Sequence, residues 1–281
     1  MKANTSGVSN TAFGLNALYS NTSGSRNVGI GISTLEANTS GDDNIGIGHD
    51  SLANNTTGDG SVGIGKSALK FNTTGGSNAA IGYEALYSNT TGSNNIGLGY
   101  ESLKFNTTGA NNSATGMRSL YSNTTGSYNT AIGQSAMISN TTASYNTAVG
   151  YAGLRSNTTG AYNSSFGSEA LRSNTTGGSN VAHGSYSLYS NTSGNYNVGV
   201  GVESLKSNTT GSQNVAIGDS ALKSNTTGSY NTALGLDSLF SNTTGEANAA
   251  IGDAALINSC LLYTSDAADD LLCVDLGGRR I

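Results

Sequence analysis

Asparagine, threonine and tyrosine recur in this chain every 17 residues, and they are the side chains with which it could bind a partner. An Asn-Thr-Thr or Asn-Thr-Ser segment begins at Asn4 and returns at each seventeenth residue up to Asn242. Stacked copies of a repeat place like side chains in ladders about 4.8 Å apart. Alternate residues of an extended segment share a face, so Asn123 and Thr125 are predicted to form an exposed ladder of amides and hydroxyls.

The tyrosines form a second candidate ladder. Tyr128, Tyr145 and Tyr162 hold one position of three consecutive units, and Tyr196 and Tyr230 hold it later. Exposed aromatic rings stack on sugars or anchor protein partners. The candidate surface-binding residues are therefore Asn123, Thr125, Tyr128, Tyr145 and Tyr162. The alternative interpretation of the tyrosine position is a variable, solvated site.

The Asn-x-Thr/Ser segments admit other interpretations. They match the acceptor pattern for N-glycosylation in every unit, although asparagine in a repeated tight turn would give the same regularity. Regular threonine and asparagine ladders also resemble the flat arrays of ice-binding solenoids. Ice binding by these ladders is therefore an alternative to the binding of a partner.

Catalytic chemistry is not indicated. The two histidines, His49 and His183, occupy different positions of the repeat, and His183 replaces an isoleucine at a position predicted to face inward. The spacing yields no nucleophile with a base, no paired carboxylates and no zinc-ligand set. We predict no enzymatic activity, no cofactor and no metal site.

Composition excludes other classes. The 281 residues include 40 Gly and no Pro, only 10% are charged, and the net charge is −5. Disordered tails carry more charge, and collagen needs Gly at every third residue together with Pro. Without a basic cluster or an apolar run of 18 residues, neither nucleic-acid binding nor a membrane span is expected.

The repeat itself predicts the fold. Fifteen units follow without insertion or deletion, and a unit of 17 residues is too short for a pair of helices. We predict an all-β, parallel β-solenoid of fifteen 17-residue rungs, each with a strand, a turn, a second short strand and a turn. The three-residue spacing of Glu101 and Lys104 leaves a helical turn as the alternative for the second segment.

Strand alternation predicts the core. In Thr130-Ala131-Ile132 the outer two residues share a face, which we assign to the interior together with the Leu or Met that follows. The predicted core residues, with glycines at close backbone approaches, are Ile132, Leu171, Ile217, Leu222, Gly133 and Gly218. Each rung has few large apolar residues to offset the entropy lost on folding, which favours association of chains. We therefore predict a homo-oligomer.

Asn129-Thr130-Ala131-Ile132-Gly133 and Asn214-Val215-Ala216-Ile217-Gly218 resemble the head repeats of YadA-like trimeric autotransporter adhesins and the shaft repeats of bacteriophage tail fibres. The resemblance covers residues 1–258. It implies a trimeric, parallel β-roll that is extracellular, on a cell surface or a virion. It also implies attachment to a host surface, matrix or glycan target.

The last residues depart from the repeat. Residues 259–281, with Cys260 and Cys273, look like translated sequencing-adapter sequence. We therefore divide the chain into a repeat region, 1–258, and a non-repeat tail, 259–281. The tail is interpreted as a sequencing or cloning artefact, and the repeats as a fragment of a longer array. A short capping helix over 265–273 is the alternative.

Overall fold

The computed structural model describes residues 2–258, in which the regular secondary structure consists of fifteen three-residue strands. Cys260, Cys273 and the predicted tail lie outside the described residues. The strands are β1 Thr11–Phe13, β2 Val28–Ile30, β3 Ile45–Ile47, β4 Val62–Ile64, β5 Ala79–Ile81, β6 Ile96–Leu98, β7 Ser113–Thr115, β8 Thr130–Ile132, β9 Thr147–Val149, β10 Ser164–Phe166, β11 Val181–His183, β12 Val198–Val200, β13 Val215–Ile217, β14 Thr232–Leu234 and β15 Ala249–Ile251.

The chain divides into two units, which we call unit 1, ending at Ala148, and unit 2, beginning at Val149. In unit 1, each of the strands β1 to β7 pairs in parallel with the next strand along the chain, so that Thr11 lies opposite Val28, its counterpart in the next repeat. In unit 2, β10 to β15 pair in the same way. Each unit is a parallel β-solenoid with one 17-residue repeat per rung, which confirms the predicted fold class.

The segment after each strand is neither a second strand nor a helix in the described residues, so both predictions for it are wrong. In the rung of β8, Gly133, Ser135 and Met137 have positive φ values of 131°, 58° and 49°. Left-handed residues at every second position bend the backbone too sharply for a strand and break a helix. The amide groups still bond from rung to rung, as the Leu120 amide does to the carbonyl of Ala136 at 3.0 Å.

The strands face the opposite way from the prediction. The middle residue of the strand, such as Ala131, is fully buried, whereas Ile132 and Ile217 are 43% and 40% exposed. The assignment of these two isoleucines to the core of the chain is wrong. Leu171 and Leu222 are fully buried, which confirms the other half of the predicted core.

The narrow interior of a rung explains this inversion. A Cβ atom added at Gly46, in the middle of β3, would lie 2.5 Å from Cγ2 of Thr34, and one added at Gly97 would lie 3.3 Å from Cγ of Leu86. The leucine already fills the interior, so only Ala, Gly or Ser fits beside it. The β-branched residues on either side of the middle position are then turned outward. His183, predicted to face inward, is likewise exposed on the outside.

Gly133 and Gly218 follow the strand and permit the turn rather than fill a core. The φ of Gly218 is 138°, a conformation that other residues rarely adopt. A Cβ atom at Gly218 would also collide with the carbonyl oxygen of Gly235 in the next rung. Backbone geometry and rung spacing therefore both require glycine there.

We predict that Gly218→Ala lowers the free energy of unfolding of unit 2 by about 1–3 kcal/mol or more, because a Cβ atom is strained in the left-handed backbone and also overlaps the carbonyl oxygen of Gly235. Guanidinium unfolding followed by circular dichroism measures the loss. Gly178→Ala is the matched control, since Ala161 holds the same position of the repeat in the preceding rung. Equal stability of the two variants would contradict this account of Gly218.

Candidate binding surfaces

Asn123, predicted to lie on the surface, is fully buried. Its Nδ2 donates to Oδ1 of Asn106 at 2.7 Å and to the carbonyl of Gly126 at 2.9 Å. The backbone here is a turn, because the amides of Thr124 and Thr125 both donate to the one carbonyl of Thr141, at 2.8 and 3.4 Å. The extended geometry that would place Asn123 and Thr125 on one face is absent from this segment, so that prediction is wrong.

A second ladder of buried asparagines runs beside the first. Nδ2 of Asn112 donates to Oδ1 of Asn95 at 3.1 Å and to the carbonyl of Gly126 at 2.9 Å. The Gly126 carbonyl therefore accepts one amide from each ladder. A Cβ atom at Gly126 would overlap the carbonyl oxygen of Ala143 and Oδ1 of Asn123, so limited space and not a left-handed turn favours glycine at this position, which Ala143 occupies in the next rung. Both ladders hold neighbouring rungs at one spacing.

The ladders decide between the two interpretations of the Asn-x-Thr/Ser segments. Every asparagine of this position from Asn21 to Asn242 is at most 5% exposed. Nδ2, the atom that would carry a glycan, donates hydrogen bonds inside the rung. In the folded chain these asparagines are structural.

The exposed ladders consist of threonine and tyrosine. Thr125 points outward, whereas the hydroxyl of Thr124 donates to the carbonyl of Thr141 at 3.0 Å. We call the position of Tyr128 and its counterparts in other rungs the tyrosine column. In unit 1, Tyr128 and Tyr145 of this column are 53% and 50% exposed and stack in parallel, with ring centroids 5.0 Å apart. In unit 2, Tyr162 is 63% exposed.

An apolar surface lies where the sequence interpretation placed the core. We call the first and third residues of the strands the outer strand face. In unit 1 it exposes Ile30, Ile81 and Ile132, which are 38%, 44% and 43% exposed, and in unit 2 it exposes Ile217 and Leu234. The sequence signal for this surface is the alternation of large apolar residues with Ala or Gly. When the small residues face inward, the large ones face outward.

Charged side chains connect neighbouring rungs. Nζ of Lys104 lies 2.6 Å from carboxylate oxygens of both Glu84 and Glu101, and Arg118 bonds to Glu101 at 2.8 Å. Burial raises the pKa of Glu101, but the hydrogen bonds from Lys104 and Arg118 outweigh it and hold that pKa below its ordinary value. In unit 2, Lys206 and Lys223 lower the pKa of Glu203 in the same way. Such carboxylates stay ionised at neutral pH and serve as links between rungs.

Comparison with protein-family models found no match, and comparison with curated proteins found none either. Within residues 2–258 no helix has the length and hydropathy needed to cross a bilayer. In the same residues no three His, Cys, Asp or Glu side chains are grouped to hold a metal ion.

We predict that Asn208→Ala strongly destabilises the chain. The substitution removes the bonds of Nδ2 to Asn191 and Gly211, at 2.8 and 2.9 Å, and leaves Nδ2 of Asn225 without its acceptor in that rung. Each buried polar group left without its partner costs about 1–3 kcal/mol. Chemical denaturation measures the change. Thr210→Ala, an exposed position of the same turn, is the control, and equal midpoints for the two variants would refute a stabilising role for the ladder.

Proposed function

We propose that this chain is a structural and adhesive segment of an extracellular fibre, built from self-associated copies of the solenoid and trimeric when assembled. The observation that carries the proposal is the bare apolar outer strand face. The target of the fibre is a host surface, a matrix or a glycan. Its place is a cell surface or a virion.

Parallel sheets support the self-association step. They occur almost only where both faces are covered. In each unit the inner face of the sheet is covered by leucines such as Leu171, which are fully buried, while the outer face exposes isoleucines at 38–44%. Complete burial of such a side chain contributes about 1.5–3 kcal/mol, and every strand except β7 carries at least one Val, Ile, Leu or Phe on this face. A cover over this face would stabilise the chain greatly.

A second copy of the chain suits this face for two reasons. The outer strand face repeats with each rung, and a copy of the same solenoid carries apolar side chains at the same interval. In the described residues this face also carries no Asp, Glu, Lys or Arg; His183 lies on it, and its ring packs edge-on against Phe166 with the ring centroids 4.6 Å apart. Like-charge repulsion therefore does not oppose contact between copies. The likeness of Asn-Thr-Ala-Ile-Gly to adhesin head repeats favours three copies.

The other surfaces supply the adhesive part of the proposal. Thr125 and the tyrosine column lie on positions of the rung other than the outer strand face and are exposed. Hydroxyls and aromatic rings that repeat with the rung give a fibre many equal contacts, and linked weak contacts bind with high avidity.

We predict that Ile30→Lys, Ile81→Lys and Ile132→Lys together prevent self-association while the rungs stay folded. The three side chains lie on the outer strand face of unit 1, and burying three unpaired ammonium groups in an apolar contact is costly. Sedimentation equilibrium compares the variant with the unmodified chain, and circular dichroism checks that the β-structure is retained.

The control variant carries Ser23→Lys, Thr74→Lys and Thr125→Lys, which add the same charge at exposed positions with the same three-rung interval. We expect it to associate like the unmodified chain. A monomeric unmodified chain, or loss of association in both lysine variants alike, would overturn the proposed role of this face.

Ice binding is the second candidate, and the exposed threonines support it. Six consecutive rungs of unit 1 present an outward threonine, at Thr57, Thr74, Thr91, Thr108, Thr125 and Thr142. The buried asparagines contribute nothing to that surface. If the threonines bind ice, the chain inhibits ice recrystallisation and Thr74→Lys with Thr125→Lys abolishes the inhibition. Crystals that coarsen at the same rate with and without the chain remove this candidate.

A further inference from the structure

The outer strand face of unit 2 carries one side chain that can bind a metal ion. His183 is the third residue of β11 and is exposed. Its ring packs edge-on against Phe166, and neither Nδ1 nor Nε2 has a hydrogen-bond partner in residues 2–258. Both nitrogens are therefore open to a ligand that approaches the face from outside.

The neighbours of this imidazole on the face are apolar. Phe166 and Val200 lie in register with His183 on the two adjacent strands, and Val181 shares its strand and its face. None of these side chains offers a hydrogen bond. An apolar cover over the face would therefore bury the imidazole without a partner, which is costly. A group that covers His183 favourably has to bind its ring nitrogens.

The third strand position, which His183 occupies, is the more apolar of the two outward positions in unit 2. From β10 to β15 it carries Phe, Val, Ile or Leu in every strand except β11. The first position carries Ser164, Thr232 and Ala249 in three of these strands. The middle of an interface is its most apolar part. The third position thus lies at the centre of the contact between copies.

Symmetry brings the histidines of different copies together. In a closed three-fold assembly whose axis runs along the stack of rungs, each residue meets its own copies at one level. Three His183 side chains therefore converge between a layer of Phe166 and a layer of Val200. Sheets that pack face to face lie about 10 Å apart, a gap that imidazoles from both sides bridge through a shared ion.

We propose that His183 of three assembled copies binds one divalent transition-metal ion of the zinc class. Three imidazoles with a fourth position left open are a ligand set that zinc accepts, and imidazole also suits nickel and copper. The ion gives each buried imidazole the partner that its apolar neighbours lack, and the Phe166 and Val200 layers keep water from the site.

The site exists only in the assembly. Within residues 2–258 of one chain no three ligands are grouped, and the sequence alone predicted no metal site because each chain supplies a single imidazole to it. The site therefore rests on the proposed function, in which copies of the chain associate through the outer strand face.

Zinc chloride, titrated calorimetrically into the chelator-treated full chain, tests the site. Every sample carries Cys260→Ser and Cys273→Ser, so that thiols do not bind the metal. We expect one zinc ion for three chains. His183→Ile should lose zinc binding at micromolar concentration and still associate, because Ile217 holds this position two rungs further along.

His49→Gln is the matched control. His49 lies in unit 1 outside the strands, its Nδ1 is 3.2 Å from a carboxylate oxygen of Asp50, and Gln134 holds its position in another rung. We expect zinc affinity and stoichiometry to be unchanged in this variant. The proposal is overturned if associated chains bind no zinc at micromolar concentration, if one ion binds per chain, or if His183→Ile binds zinc as the unmodified chain does.

Sedimentation equilibrium of the same samples, with and without zinc, separates this site from the fibre. Chains that associate but bind no zinc refute the metal site alone. Chains that stay monomeric in both conditions refute the self-associated fibre and the site with it. Zinc that strengthens the association of the unmodified chain but not of His183→Ile supports the site, because an ion bound only by the assembly stabilises it.

Discussion

The structure depends on buried amide groups that can be satisfied only by their own counterparts one rung away. Asn123 bonds to Asn106, Asn112 bonds to Asn95, and the Gly126 carbonyl receives a bond from each ladder. An orphaned amide in this interior would be costly, so every rung must present the same amide at the same height. The constant 17-residue repeat follows from that requirement, because an inserted residue would displace both ladders.

The same constraint limits what else the interior can hold. Two amide ladders and one leucine fill most of a rung, and the inward strand position is left with room for Ala, Gly or Ser. The chain therefore carries its β-branched residues on the outside of its sheet. This is the reverse of an ordinary soluble sheet, where such residues form the core.

Much of this architecture could be predicted from the sequence. The unbroken period predicts parallel, in-register stacking, and Leu171 and Leu222 stand out as core residues because their position is almost always leucine. Alternation shows that Thr130 and Ile132 share a face but not which face is inside, and a shift of one residue inverts the answer. The left-handed leucines could not be foreseen, since nothing in leucine favours a φ near 50°.

Some of the candidate binding residues could likewise be predicted from the sequence, and others could not. Tyr128, Tyr145 and Tyr162 are exposed as predicted, because aromatic rings at a variable position have no place in so narrow a rung. The surface prediction for Asn123 is wrong because it assumed an extended backbone, whereas Asn123 begins a turn that buries its side-chain amide. The invariance of this asparagine in all fifteen units is the better guide, since the tyrosine column, which is left-handed, accepts Ser, Asn, Asp, Gln and Gly.

Ladders in which each residue is bonded to its own copy have a consequence for how such a gene can change. Unequal recombination between repeats adds or deletes whole rungs and leaves every remaining contact of the same kind as before. Length is therefore free to vary, while a substitution at a ladder asparagine is disfavoured by neighbours on both sides. A lineage carrying such a gene could adjust the reach of the protein far more readily than its cross-section.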